Sequence, residues 1–154
     1  MSTTTIDGKT ASGMAARILR EGYGEGAWHG PDLKAALADV TPEVAFWRPG
    51  PGRHNIAEIA MHHAYTAHNV RVKLSGQDGE PFVLAGEDWF DLPDSSLLSW
   101  SKIVEVVARE QETLERSVRN APIEGDQFDL VLGITCHAVY HAGQIQLIKR
   151  LAAA

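Results

Sequence analysis

Residues 128–151 read FDLVLGITCHAVYHAGQIQLIKRL. Leu130, Ile134, His137, His141 and Ile148 recur at spacings that an α-helix gathers on one face, so this stretch predicts a fourth long helix with histidines at core positions. His137, His141, Gln144 and Gln146 make it a poor transmembrane span, and a buried helix is expected.

Working outward, helical periodicity continues and no hairpin signal interrupts it. Ser12 can cap a first helix running to about Glu21, with Met14, Ile18 and Leu19 as its apolar stripe. The loop GYGEGAWHG (residues 22–30) precedes a short helix opened by Pro31 and Asp32 and ending near Val40, which Thr41-Pro42 closes. Pro49-Gly50-Pro51-Gly52 breaks the chain. Asn55 followed by Glu58 then signals the capping box of a second long helix reaching about Leu74. Residues 75–93 hold Trp89, Phe90 and Leu92 among glycines and prolines, which predicts an ordered crossover rather than a solvated linker. Asp94 or Ser95 can cap a third helix carrying Leu97, Trp100, Ile103, Val104, Val107, Leu114 and Val118, with Lys102, Glu105, Arg109, Glu112, Glu115 and Arg116 on its solvated side. The expectation is an all-α, four-helix bundle, antiparallel unless the long crossover connection alters the order.

Composition agrees. At 154 residues, with 44% hydrophobic and 22% charged residues, the chain suits one packed domain. Residues 1–10 (MSTTTIDGKT) read as a flexible N-terminus and 11–154 as the domain. A net charge of −6 argues against nucleic acid or an anionic membrane as partner. A lone cysteine, Cys136, forms no internal disulfide and fits a reducing, cytoplasmic setting. Cys136 neighbours His137 and is turned off its face, which predicts an inert buried thiol.

Seven histidines are present: His29, His54, His62, His63, His68, His137 and His141. His137 and His141 lie one helical turn apart, within reach of one metal ion. A catalytic site of the zinc kind needs about three protein ligands and one open position. The second long helix supplies His62 and His63, which diverge by about 100°. Spacing from Ile59 favours His62 and spacing from Ile56 favours His63, so periodicity leaves both open. His29, His54 and His68 read as surface, loop or packing residues.

HNIAEIAMHHAYTAHNVRVKL (54–74) and GITCHAVYHAGQIQLIKR (133–150) resemble the two metal-binding helices of DinB/YfiT-like proteins. AWHGP (27–31), RPGPGRHNIAEI (48–59), GEDWFDLP (86–93) and HAVYHAGQI (137–145) fall in the order that family uses. This is the damage-inducible helical family, distinct from the translesion polymerase sharing its name. The resemblance implies a four-helix bundle with ligands at His62, His137 and His141, His62 following the second Ile of the Ile-x-Glu-Ile run by three. His63 departs from the pattern. So does Ala138, where many relatives carry an acid. It also implies one divalent ion per chain, a homodimer, and either a transferase using a low-molecular-weight thiol or a metal-dependent hydrolase.

Zinc is the first expectation; imidazole also accepts nickel, manganese or iron. Gln144 shares the histidine face and can orient a ligand or a small-molecule substrate. Glu58 is a candidate general base, weighed against its place in the capping box. Tyr140 is expected to pack between helices, while Trp28, Trp47, Trp89 and Phe90 are expected to anchor connectors, with Trp89-Phe90 able to roof a pocket. No ferritin-like Glu-x-x-His pair, HExxH, P-loop or GxSxG motif occurs. A non-catalytic metal-binding stress or interaction protein is the other class these residues allow.

Overall fold

Helix boundaries follow the side chains able to satisfy end groups. The computed structural model describes residues 8–24, 26–76 and 79–154. Among these no strand occurs, and the helices are α1 (Gly8–Gly22), α2 (Leu33–Ala38), α3 (Pro42–Phe46), α4 (Ile56–Ser75), α5 (Trp100–Asn120) and α6 (Gly125–Ala152). Asn55 Oδ1 accepts the Glu58 N–H at 2.8 Å and Glu58 Oε2 accepts the Asn55 N–H at 3.4 Å, completing the expected capping box. Gly76 ends α4 at φ 65°, a left-handed conformation that glycine adopts without a steric penalty.

Three boundaries differ from expectation. α1 begins at Gly8, so Ser12 lies inside it, buried, and its hydroxyl donates to the Ala121 carbonyl instead of capping. The expected flexible terminus therefore overlaps a helix at residues 8–10, and residues 1–7 lie outside the described residues. α5 starts at Trp100 under a Ser99 cap; Asp94 closes a turn by accepting the Ser96 N–H at 2.8 Å, and Leu97 is left exposed. The Trp100 indole donates to the Val40 carbonyl at 2.8 Å, fixing the start of α5 against the α2 loop. α6 begins three residues before Phe128, with no side-chain cap. Thr41 both ends the α2 segment and caps α3, a helix too short for periodicity to reveal.

The four long helices meet pairwise, α4 with α5 and α6, and α1 with α5 and α6. Their core separates into two apolar clusters. One holds Ile56–Ala64 of α4, Trp100–Val107 of α5 and Ala138–Ile148 of α6; the other holds Ala67 and Val70, Leu114 and Val118, Val131 and Ile134, and Leu19 of α1. α4 and α5 both run from the first cluster to the second, while α6 runs the opposite way. Two consecutive helices with the same direction require the chain to travel back between them. The crossover does this, with Phe82, Leu84, Trp89, Phe90 and Leu92 packed on the first cluster. Buried Glu110 and Gln111 on α5, and His63 and His68 on α4, lie at the level where the clusters part.

At Gly22 α1 lies hard against α6: a Cβ there would stand 2.9 Å from both the Ala138 Cβ and the Thr135 carbonyl oxygen. The same contact explains Ala138, because a larger acidic side chain would have to displace α1. Gly22→Leu should lower stability by about 1–3 kcal/mol through overpacking against backbone that cannot yield. Urea unfolding checks this; an unchanged midpoint would contradict the contact.

Candidate metal centre

The geometry of the histidines starts from two fixed tautomers. His62 Nδ1 is 2.9 Å from the Asp88 carbonyl oxygen, which only accepts, so the ring proton sits on Nδ1 and Nε2 carries a lone pair. His141 Nδ1 is 2.6 Å from Gln144 Oε1, with the same consequence for its Nε2. Both Nε2 atoms point at His137 Nε2, at 3.0 Å from His62 and 3.2 Å from His141. A single N–H on His137 can serve only one of them, which leaves at least one lone pair facing nitrogen without a proton. A cation answers that arrangement. Tetrahedral zinc with ordinary Zn–N bonds would hold its nitrogens about 3.3 Å apart, and the three ligand atoms lie within 4.8 Å of one another. The donor set therefore fits a divalent ion, with three neutral imidazoles and room for a further ligand.

His63, left open by periodicity, stands behind this set. It is fully buried, and its Nδ1 lies 3.1 Å from His137 Nδ1. With the His137 Nε2 lone pair given to an ion, its ring proton would sit on Nδ1 and donate to His63 Nδ1, placing the His63 proton on Nε2. That Nε2 and both polar atoms of the Gln111 amide are buried without another hydrogen-bond partner among the described residues. Burial, reinforced by His137, pushes the His63 pKa down to about 3 despite the opposing influence of Gln111. Burial likewise takes His137 to about 4, with His141 and His62 adding to the effect. His141 is lowered by burial in spite of Gln144. These imidazoles are held in the neutral form that binds metal.

Trp89 supports the centre from the crossover. Its ring lies between His54 and His62, with centroids 3.7 and 3.9 Å away and planes within 7° and 6° of parallel. Asp88, one residue earlier, has φ 65°, and its carboxylate Oδ1 also approaches His62 Nδ1 at 3.1 Å. Aspartate tolerates this backbone region better than most residues. The role of Asp88 was missed by sequence reasoning, the GEDW run beside Trp89 being the available signal; the spacing from Ile56 marked His63 as turned inward, but as a rival ligand rather than as a support of His137.

Glu58 is placed differently from a free base. Its carboxylate accepts from Arg48 at 2.9 and 2.5 Å, from the Leu92 N–H at 3.1 Å, and lies 3.0 Å from His54 Nδ1. Burial raises its pKa, but Arg48, the Leu92 N–H and His54 outweigh this and hold it below the usual carboxylate value. Gln144 orients His141 and donates to the Tyr140 hydroxyl at 3.4 Å. Tyr140 is exposed rather than packed between helices, Cys136 is exposed rather than buried, and Trp28 is 94% exposed, anchoring nothing. Each of the first two sits on the outer side of α6, where no other element among the described residues covers it. Phe90 turns largely into the core against Tyr65 and Phe82 and, with Trp89, borders only a small cavity beside Arg48 and Glu58. His29 bonds the Glu21 carbonyl at the surface, and His68 is buried against Glu110 and Arg71.

Metal-free protein should lose stability on mild acidification. Unfolded His63 and His137 titrate near 6.5 and the folded ones at about 3 and about 4, so in that window the unfolded chain binds more protons. Their contribution is fully present above about pH 6.5 and declines as pH falls toward their folded values. Urea midpoints measured from about pH 7.5 to about pH 5, above the carboxylate range, should fall steadily; a flat profile would contradict two buried neutral rings. Separately, Glu58→Ala should cost about 2–3 kcal/mol, less than a fully buried pair because Arg48 keeps some solvent. Equilibrium unfolding reads this directly, and a loss under about 0.5 kcal/mol would exclude the network as a structural hub.

A family model of the DinB superfamily matches residues 26–145, a span holding all three converging histidines. No curated protein and no solved structure matches the chain. The match covers well over half of the residues and agrees with the helical architecture and the histidine triad: the chain belongs to the DinB superfamily.

Proposed function

We propose that this protein is a divalent-metal-dependent transferase using a low-molecular-weight thiol, built on a DinB-type four-helix bundle. The observation that carries this is the pair of fixed tautomers aiming the His62 and His141 lone pairs at His137. His62, His137 and His141 would hold one ion, zinc by preference. Bound there, it would supply positive charge that favours a thiol in its anionic form.

The chain's own residues favour sulfur over water as nucleophile. Glu58, the acid nearest in sequence to a ligand, is committed to Arg48, Leu92 and His54 and is not free to take a proton from water. A thiol, with an ordinary pKa near 8.5, needs far less help than water. Gln144 keeps His141 Nδ1 engaged, and His63 does the same for His137. The proton of the thiol leaves to solvent, and sulfur bonds to an electrophilic carbon of a small-molecule substrate as the bond from that carbon to its leaving group breaks, the leaving group departing to solvent with the electron pair. We further place the protein in the cytoplasm as a homodimer, with exposed Phe128 and Leu132 on α6 as candidate contacts. No helix among the described residues is long and apolar enough to cross a membrane.

His137→Ala and His141→Ala should each abolish tight zinc binding, read by metal analysis after dialysis. Cobalt-loaded wild type should develop a sulfur-to-cobalt charge-transfer band with cysteine and should accelerate its conjugation to a chloronitrobenzene. Gln144→Ala should slow that conjugation by about 10–100-fold while the folded protein still takes up metal. Ester hydrolysis without any thiol dependence would replace the transferase with a hydrolase. Metal binding without thiol binding or turnover would favour a non-catalytic metal protein.

A further inference from the structure

Beside the histidines lies an open cleft of about 630 Å³, in the size range of small-molecule sites. Its walls are apolar: Pro51 from the loop before α4, Ile59 from α4, and Leu147, Ile148 and Leu151 from the last turns of α6. Leu147 and Leu151 are 58% and 45% exposed, too open for residues whose only task is to fill the core. Trp89 and Gln144 also line the cleft, and these are the residues that stack on His62 and hold His141. The three histidines themselves do not line it. Any molecule lodged there would nevertheless touch the supports of two of them.

The charge around the cleft is unlike that of the chain. Acids outnumber Lys plus Arg by twenty to fourteen overall, yet no Asp or Glu lines the cleft, while Arg53 and His54 do. An adjoining smaller cavity shares Arg53, His54 and Trp89, and there the acids Glu58 and Asp91 both face Arg48. Arg53 has no acidic partner among the described residues, although its backbone N–H and carbonyl are bonded to Gly50 and Arg48. Among the described residues its guanidinium therefore meets no acid, a planar donor in the wall of a largely apolar cleft. Such a donor suits a carboxylate, which it can bind through two parallel hydrogen bonds.

We infer that the cleft binds a small organic acid with an apolar body, its carboxylate on Arg53 and its body along Ile59, Leu147 and Ile148. This names the substrate class of the proposed enzyme; it rests on that proposal only for the reaction, not for the binding. The occupant is a small molecule rather than a second copy of the chain because the recess is lined from three separate segments and carries a cation in its wall.

Calorimetric titration with 4-phenylbutyrate, and with its neutral amide, tests the inference on the full chain. Wild type should bind the acid at least about tenfold more tightly than the amide, the discrimination expected of a charged pair over a neutral contact. Arg53→Gln should erase that difference, and Leu147→Glu, at an exposed position that folding does not depend on, should weaken both ligands. The His137→Ala/His141→Ala double variant should retain Arg53-dependent binding, so loss of the metal centre alone leaves the cleft standing. Binding that survives Arg53→Gln but vanishes in the double histidine variant would put the carboxylate on the metal and overturn the cleft while upholding the centre. Absence of binding in wild type would overturn it too. So would sedimentation showing that Leu147→Glu converts a dimer to monomer without affecting the probe.

Discussion

One buried carboxylate governs how this chain is assembled around its histidines. Glu58 takes part in the capping box of α4, receives both terminal nitrogens of Arg48, meets His54, and accepts the Leu92 N–H from the returning crossover. Asn55 completes the clasp by donating to the Leu92 carbonyl at 2.8 Å. A helix start, a Pro/Gly loop and the crossover are thereby locked to one point. Trp89 and Asp88 lie a few residues upstream of Leu92, so the same clasp sets the ring that stacks on His62 and the carbonyl that fixes its tautomer. The carboxylate's effect on the site is positional, transmitted along the crossover.

Burying polar groups between two apolar clusters is costly unless they are paired. The molecule meets this with local pairs: His68 with Glu110 and Arg71, His137 with His63, Thr135 with the Val131 carbonyl at 2.7 Å. The atoms left over are informative. His63 Nε2 and the Gln111 amide are buried and lack another partner, on the side of His63 away from His137 or on the neighbouring helix α5. Imidazoles that must stay neutral and correctly oriented to bind a metal are better held by neutral partners than by charged ones, and an apolar surround enforces that neutrality.

Much of this was legible in the sequence because helical period, capping chemistry and glycine–proline punctuation are local signals. Asn55 and Glu58 announced α4, and the apolar residues of 75–93 announced a crossover that packs. What escaped depends on distant partners. Ser12 looked like a cap but is used by Ala121, and α5 starts late because the Trp100 indole finds the Val40 carbonyl. Periodicity could not choose between His62 and His63, since both turn inward, one toward Trp89 and the other toward His137. Tyr140 and Cys136 were assigned to the interior from a helix that is apolar almost all round; no element among the described residues packs on that side, and both are exposed.

The partners behind the three imidazoles bear on what the centre can attract. His141 is held by an amide and His137 by another imidazole, both neutral. His62 is held by a backbone carbonyl, with the Asp88 carboxylate close by but two-thirds exposed and so screened by water. A carboxylate behind each ligand would feed negative charge toward an ion; neutral partners leave more of its charge to act on the open position. Among the described residues, Arg53 without an acidic partner and a lining free of Asp and Glu suit the cleft beside these histidines to anions, against the net charge of the chain.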